Sequence, residues 1–336
     1  MAEETAIASP NSHRKGAEPL ATWKYAEPSK NVALVCKDAT CEVYKVSDAS
    51  GEGIMTSYAV MPGVWVLYHD FHMENCFSGF HPSVAMFCID HCREGRLEWE
   101  TERATYMYME AGDIQINARE QPTKLYRFPL KHYHGLTVAL ALDEAGEQPF
   151  ALLDGFPLDL RALSSKFCGG GRSFIMRACA QIEHVFSELY NIPEAIRAPM
   201  FRIKVLELLL FLCTVNVPVH TVERPYFHKS QVEKVKAMME LITANPTRHY
   251  TLAELSTQFE FPLTAMKACF KGVYGTSIYA YMKNFRMNLA AVELRKTTHS
   301  VTRIAQRMGY DNASKFASAF KSILQLTPAQ YRRLGG

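Results

Sequence analysis

No stretch of this sequence is apolar for long enough to cross a bilayer. The most hydrophobic run, Val205–Cys213, is short and has Glu207 inside it, whereas a spanning helix needs about 20 such residues. Met1–Lys30 lacks the apolar core of a secretion signal. It is rich in Ala, Glu, Pro and Ser, a composition that predicts a disordered tail. CxxC pairs are also missing. The cysteines, Cys36, Cys41, Cys76, Cys88, Cys92, Cys168, Cys179, Cys213 and Cys269, are scattered and odd in number. That argues against a disulfide framework and fits a reducing cytoplasm. Net charge is nearly absent at +3, but only as a sum. Residues 229–336 hold 16 Lys and Arg against 6 Asp and Glu, a net of +10, which leaves the preceding 228 residues at −7. A basic module that meets a polyanion is thus joined to an acidic module that does not.

The 336 residues suffice for about two domains. From 31 to about 145, short β-rich runs predominate: Val32–Val35, Glu42–Val46, Val64–His69, Val84–Asp90, Arg96–Glu100, Tyr106–Tyr108, Asp113–Ile116 and Leu136–Leu142. Arg93-Glu94-Gly95 and Ala111-Gly112-Asp113 read as turns between them. Many short strands with close turns predict an antiparallel barrel or jelly roll. Helical spacing takes over near Arg172. Ile175, Ala178, Ile182, Val185 and Leu189 mark one apolar face, which Asn191-Ile192-Pro193 ends. A second helix over Pro199–Cys213 is apolar nearly all round, so it needs two partners, for which the barrel and a second copy of the chain are the candidates. Residues 146–215 are therefore read as a helical dimerisation segment. Residues 216–229, with Pro218 and Pro225, are read as a linker.

The last hundred residues carry one small unit twice. Leu252, Leu255, Ser256 and Phe259 recur with the spacing of Val301, Ile304, Ala305 and Met308, 49 residues later. Thr251 with Glu254 forms a capping box for the first helix, and Ser300 caps the second. Pro262 opens the first turn and Gly309 closes the helix of the second unit. Met266 with Phe270, and Phe316 with Phe320, then anchor a further helix in each unit. Two short helices around a tight turn make a helix-turn-helix, here at about 251–272 and 300–323, and the second helix of each fits a major groove. A connector helix over Ile278–Lys296 spans roughly 28 Å at about 1.5 Å per residue. That is of the order of the ~34 Å turn of DNA, so it could set both units in successive grooves.

These residues resemble the AraC/XylS family of bacterial transcription regulators over about Ser230–Arg333. The resemblance rests most on Ile304-Ala305, Gly309-Tyr310, Ser314, Phe316, Phe320-Lys321, Thr327-Pro328 and Tyr331-Arg332. Tyr281, Arg286, Ala290, Leu294, Phe270-Lys271 and Gly275 also fit. The sequence departs from the pattern at Ser256 (where Ala is usual), Glu260 (Gly), Pro262 (Ser) and Gln325, which stands where the first unit has Gly275. The resemblance implies an α+β fold: an N-terminal antiparallel cupin-like β-barrel sensor at 31–145 with a helical dimerisation pair, and a C-terminal all-α domain of two helix-turn-helix units joined by a long helix, at 230–333. It also implies a homodimer on double-stranded promoter DNA, contact with RNA polymerase, activation rather than repression, and a small-molecule effector in the barrel.

Residues expected to meet DNA are Thr264, Lys267, Ala268 and Lys271 in the first unit, and Asn312, Ser314, Lys315, Ser318 and Lys321 in the second. Arg303 and Arg307 are phosphate contacts or an ordinary polar face; Lys271 and Lys321 are assigned to phosphate. Trp65, Tyr68, Phe87 and Trp99 are ligand contacts in the barrel or plain core. No cofactor or metal is expected. His69 and His72 are three apart and would face opposite ways on a strand, and His132-Tyr133-His134 lacks a following carboxylate. A metal-dependent cupin enzyme carrying a DNA-binding tail is the alternative function, and a nucleoid-type architectural protein, bound through salt-sensitive phosphate contacts, a third.

Overall fold

The computed structural model describes residues 31–38, 40–76, 84–101, 104–119, 125–145, 158–169, 173–177, 179–217 and 227–334. The expected tail, Ala178, residues 146–157 and most of the expected linker (218–226) lie outside them.

An antiparallel sheet forms first: β1 (Val32–Lys37), β2 (Cys41–Asp48), β3 (Gly51–Met61), β4 (Val64–His72), β5 (Asn75–Cys76), β6 (Met86–Glu100), β7 (Thr105–Glu110), β8 (Ile114–Arg119), β9 (Tyr126–Arg127) and β10 (Tyr133–Ala141). The main order is β1-β2-β3-β4-β10-β6-β7, with β8 and β9 also pairing β6. The alternation of side chains fixes what each face buries. A row of register partners, Tyr58, Val66, Val138, Ile89 and Ile116, crosses five strands on one face. The opposite face buries Trp65, Leu67, Phe71, Cys88, Cys92, Trp99, Tyr133 and Ala139 in a separate core.

One strand is unmarked in the sequence, and one expected turn is corrected. β3 falls in Gly51–Met61, where Gly51, Gly53, Thr56 and Ser57 hide a strand behind weak apolar content. Arg93-Glu94-Gly95 is no chain reversal: β6 runs through it as one long strand. Its first half pairs β8 and β10 while its second half turns to β7 and β9, so the triplet re-aims the strand. Gly95 allows this with φ of 87°, where a Cβ would lie 2.2 Å from the carbonyl oxygen of His132. The Ala111-Gly112-Asp113 turn does join β7 to β8, with Gly112 at φ 85° and the Asp113 carboxylate accepting from Glu110 N at 2.8 Å.

Helices cover the first face. α1 (Leu160–Cys168), capped by the Asp159 carboxylate, is an element that sequence periodicity did not mark. β11 (Phe174–Met176) then pairs β8, so Ile175 is a strand residue and not the start of the helix. α2 (Ala180–Tyr190) buries Ile182, Val185, Phe186 and Leu189 as its spacing predicts. After one 3-10 turn, α3 (Arg197–Thr214) buries Phe201, Val205, Leu208, Leu209 and Leu212 in the same core. Full burial of each such side chain is worth about 1.5–3 kcal/mol.

β12 (Phe227–His228) pairs β7 and leads into the helical domain: α4 (Lys229–Ala244), α5 (Leu252–Gln258), α6 (Leu263–Tyr274), α7 (Ile278–Lys296), α8 (Val301–Arg307), α9 (Ala313–Leu324) and α10 (Pro328–Leu334). This domain has two cores. The first unites α4, α5 and α6 with Tyr106 and Tyr108 of the sheet and with Phe227. The second unites the later part of α7 with α8 and α9. Among the described residues, no helix is long and apolar enough to cross a membrane.

Candidate nucleic-acid interface

The interface is built from capped short helices. Thr251 accepts from Glu254 N at 3.1 Å while the Glu254 carboxylate accepts from Thr251 N at 2.7 Å, the reciprocal box that starts α5. Those bonds to the ionised form hold the Glu254 carboxyl below its ordinary pKa. Ser300 starts α8 by accepting from Arg303 N at 3.2 Å. Asn312 starts α9 by accepting from both Ser314 N and Lys315 N, at 2.8 and 3.0 Å. Beneath α6 and α9, Met266, Phe270, Phe316 and Phe320 are all fully buried. The four anchors fix which side of each second helix is left to solvent.

The four residues expected of the first unit, Thr264, Lys267, Ala268 and Lys271, are exposed and recur at three, four and seven positions, which is one face of α6. In the second unit Ser314, Lys315, Ser318 and Lys321 are exposed with nearly the same spacing on α9, and Asn312 is exposed at its start. Arg303 and Arg307 are exposed on α8, Arg307 with an ion pair at 3.2 Å to Glu293 of α7. The side-chain oxygen of Asn312 is engaged in the cap.

Of the four departures from the family pattern, one has a local explanation. Ser256 donates its hydroxyl to Phe261 O at 2.7 Å, tying α5 across its turn as Ala could not. Glu260 takes φ of 46° in that turn and Gln325 takes φ of 59° at the end of α9, both in the left-handed region that glycine would fill without strain. Pro262 precedes α6 without any side-chain cap bond.

One feature that the helical pattern does not disclose joins the two units. Arg286, buried on α7, donates through Nε to Pro246 O at 2.8 Å and through Nη2 to Arg248 O at 2.9 Å. Its Nη1 lies 3.3 Å from Nδ1 of His249, whose Nε2 lies 2.5 Å from Gly309 O in the second unit. A Cβ on Gly309 would come within 2.4 Å of that imidazole nitrogen, and its φ of 77° also favours glycine. The clamp draws on residues far apart in sequence, so no local spacing signals it. Lys283 adds a bond from α7 to Ser322 of α9 at 3.1 Å.

In the sheet, the four aromatics read as ligand contacts or plain core do not converge. Trp65 and Trp99 belong to one core, whereas Phe87 and Tyr68 lie on the helix-covered face. The polar centre is a buried cluster that the aromatic pattern does not reveal. Asp90 accepts from Arg119 at 2.8 and 2.9 Å, from Asn117 at 2.7 Å and from Thr137 at 2.6 Å, and the Thr137 hydroxyl lies 2.8 Å from His69. A buried charge needs such partners. Burial lowers the pKa of His69 to about 4.

Residues 255–334 match the family described as a helix-turn-helix domain. The HTH-type transcriptional activator RhaR of Mannheimia succiniciproducens is 28% identical over 103 residues, 31% of this chain and 37% of that protein. A putative AraC-like transcription regulator of Streptomyces lividans is 29% identical over 99 residues, 30% of this chain and 33% of the relative. Among solved structures, the C-terminal domain of AraT, a response regulator from Geobacillus stearothermophilus, is 27% identical, covers 30% of this chain and 84% of its own, and has a TM-score of 0.29. This chain thus spans about a third of the length of the curated relatives it matches. Capped paired helices and their repeat across α7 agree with the family match: residues 255–334 form a helix-turn-helix domain, and the chain is similar over about a third of its length to AraC-like transcription regulators.

Proposed function

We propose that this chain is a sequence-specific regulator of transcription, binding double-stranded promoter DNA through both helix-turn-helix units. The observation that carries the reading is the pair of exposed polar helix faces, on α6 and α9, held in one frame by α7 and the Arg286–His249 clamp, in a segment of net charge +10. On this reading Thr264, Lys267, Ala268, Ser314, Lys315 and Ser318 face base edges, with the free amide group of Asn312 beside them. Lys271, Lys321, Arg303 and Arg307 face phosphates, Arg307 sharing its charge with Glu293. Lys and Ser donors suit both roles, and the phosphate share makes binding salt-dependent.

The proposal extends to the front of the chain as a cupin-like sensor at 31–145 that takes a small-molecule effector. The buried Asp90–Arg119 cluster supports it as a polar centre within an apolar sheet. Residues 146–215 serve homodimerisation, supported by α3, which leaves Ile203 56% exposed while its other side is buried. A tail at 1–30, a linker at 216–229 and a DNA-binding domain at 230–333 complete the division. The protein acts in the cytoplasm as an activator that contacts RNA polymerase, without enzymatic activity. The name of the Mannheimia relative, a transcriptional activator, favours that sign.

The test is a pull-down of genomic fragments with purified full-length protein at physiological salt, followed by sequencing. A few enriched promoter fragments with a shared motif are the expected result. Broad, motif-free retention would overturn the reading in favour of an architectural role.

A further inference from the structure

The helix-covered face of the sheet does not end where the helices do. On β4, Val64, Val66 and Tyr68 lie under α2 and α3, and the same alternation places Asp70 and His72 on that face beyond them. Register sets His134 of β10 directly opposite Asp70, and Glu94 of β6 directly opposite His134. Asp70, His134 and Glu94 therefore form a row across three strands, with His72 one step along β4.

Three donor atoms converge there. The Oδ1 atom of Asp70 lies 2.6 Å from Nε2 of His134 and 3.0 Å from Nε2 of His72. The donor atoms all fall within 4.8 Å of one another. The two imidazoles meet edge to face, with centroids 5.7 Å apart and planes at 89°. Nε2 of His134 is shielded from solvent and, despite its distance to Asp70, makes no aligned hydrogen bond. On the other side of that ring, a Glu94 carboxylate oxygen lies 4.0 Å from Nδ1. Were this carboxylate to close onto Nδ1, it would favour the tautomer that leaves the Nε2 lone pair free, the outer-shell arrangement common to metal-bound histidines. The Asp70 and His72 side chains are 56% and 65% exposed, so an ion can approach from their side.

We infer that Asp70, His72 and His134 form a binding site for a divalent first-row transition ion of the zinc type, with Glu94 orienting His134. Two imidazole nitrogens and one carboxylate suit Zn²⁺ or Co²⁺ better than Mg²⁺ or Ca²⁺, which prefer all-oxygen shells. Three protein ligands leave a position for water. The sequence places His69 near His72 and His132 near His134. The ligands are one member of each pair, His72 and His134, brought together through strand register that no local spacing shows. The inference stands apart from the DNA-binding reading, because it concerns the sheet alone.

The experiment is a Co²⁺ and Zn²⁺ titration of chelator-treated full-length protein, read by visible absorption and calorimetry. Wild type takes up one Co²⁺ per chain, with visible d–d bands of a low-coordinate site and without thiolate charge-transfer absorption. Asp70→Asn, His72→Ala and His134→Ala each weaken binding by more than tenfold, and Glu94→Gln by about tenfold. His132→Ala leaves it unchanged, since Nδ1 of His132 is held by Leu130 O. Circular dichroism confirms that each variant is folded. Thiolate bands would assign the ion to cysteines and overturn the inference, as would absence of binding or full affinity in His134→Ala.

Discussion

Lys236 of α4 places its Nζ 2.5 Å from Oε1 of Glu98 on β6, and this contact joins the helical domain to the sheet. Glu98 is wholly buried. Tyr108 donates to its other oxygen at 2.7 Å, and Arg127 stands 3.7 Å from the first. Beside it Arg96, also buried, pairs with Glu110 at 2.9 Å and donates to Gly272 O at the C-terminal end of α6 at 2.5 Å. Gly272 also sits against Phe227, since a Cβ there would lie 2.0 Å from the Phe227 ring. The second helix of the first helix-turn-helix is thus held by the sheet, whereas the second unit packs on α7.

Lys236→Met should weaken this junction. Removing one partner of a buried pair costs about 3–5 kcal/mol, and the remaining Tyr108 and Arg127 contacts, with the partial exposure of Lys236, put the expected loss at or below about 3 kcal/mol. Urea unfolding measures it. The double variant Glu98→Gln, Lys236→Met should recover part of the loss, since coupled residues are not additive. Additive effects would mean that the two side chains do not interact.

Stability should fall in mild acid, for a reason that can be traced to two histidines. Burial lowers the pKa of both His69 and His91 to about 4, with Arg93 adding to the effect at His91. His91 stacks on Phe186 at 4.2 Å. In the unfolded chain each titrates near 6.5. Between pH 6.5 and 4 the unfolded state binds more protons, so stability rises with pH and is lost as pH falls through that window. The loss is on the order of a few kcal/mol for the pair. His91→Gln should flatten the acid limb of a stability–pH curve by about one proton equivalent. An unchanged slope would show that His91 is already protonated in the folded protein.

How far the sequence discloses this structure depends on whether the cause is local. The connector helix is readable in extent, over about Ile278–Lys296, and the structure adds the Ser277 cap at its start. The capping box at Thr251 and the anchors Phe316 and Phe320 are likewise local signals. β3 is not readable, because its pairing with β2 and β4 supplies stability that Gly51, Gly53 and Ser57 do not advertise. The bend in β6 looks like a turn for the same reason: Gly95 serves either purpose, and only the partner strands decide. At the candidate interface, exposure of the expected residues follows from helical periodicity. The Arg286–His249 clamp arises from tertiary contact and has no counterpart in spacing.

Gln325→Gly and Glu260→Gly should each stabilise the domain. Both residues hold positive φ at ends or turns of helices. The left-handed conformation costs a residue with a side chain roughly 1–2 kcal/mol, and the greater freedom of glycine in the unfolded chain returns about 0.4–1 kcal/mol. The expected net gain is up to about 1 kcal/mol, read as a higher urea midpoint with unchanged slope. A lower midpoint at either position would show that the side chain makes compensating contacts.

The DNA-contact proposal separates into stability and binding at Asn312 and its neighbours. Asn312→Ala removes the cap of α9 and should cost about 1 kcal/mol of stability. Asn312→Asp keeps a capping oxygen, so it should preserve stability while its negative charge weakens binding to any DNA. Lys315→Ala leaves both capping bonds to the Asn312 oxygen in place, since the donor is its backbone N–H. It should therefore leave unfolding unchanged and reduce affinity for the cognate promoter, by about 1–3 kcal/mol if the side chain reads a base. Lys271→Ala and Lys321→Ala should weaken binding uniformly across sequences and lower the slope of log affinity against log salt by about one each. Measuring the variants on cognate and scrambled fragments at several salt concentrations divides readers of bases from neutralisers of phosphate. If Lys315→Ala binds the cognate fragment as wild type does, α9 does not enter the groove by this face.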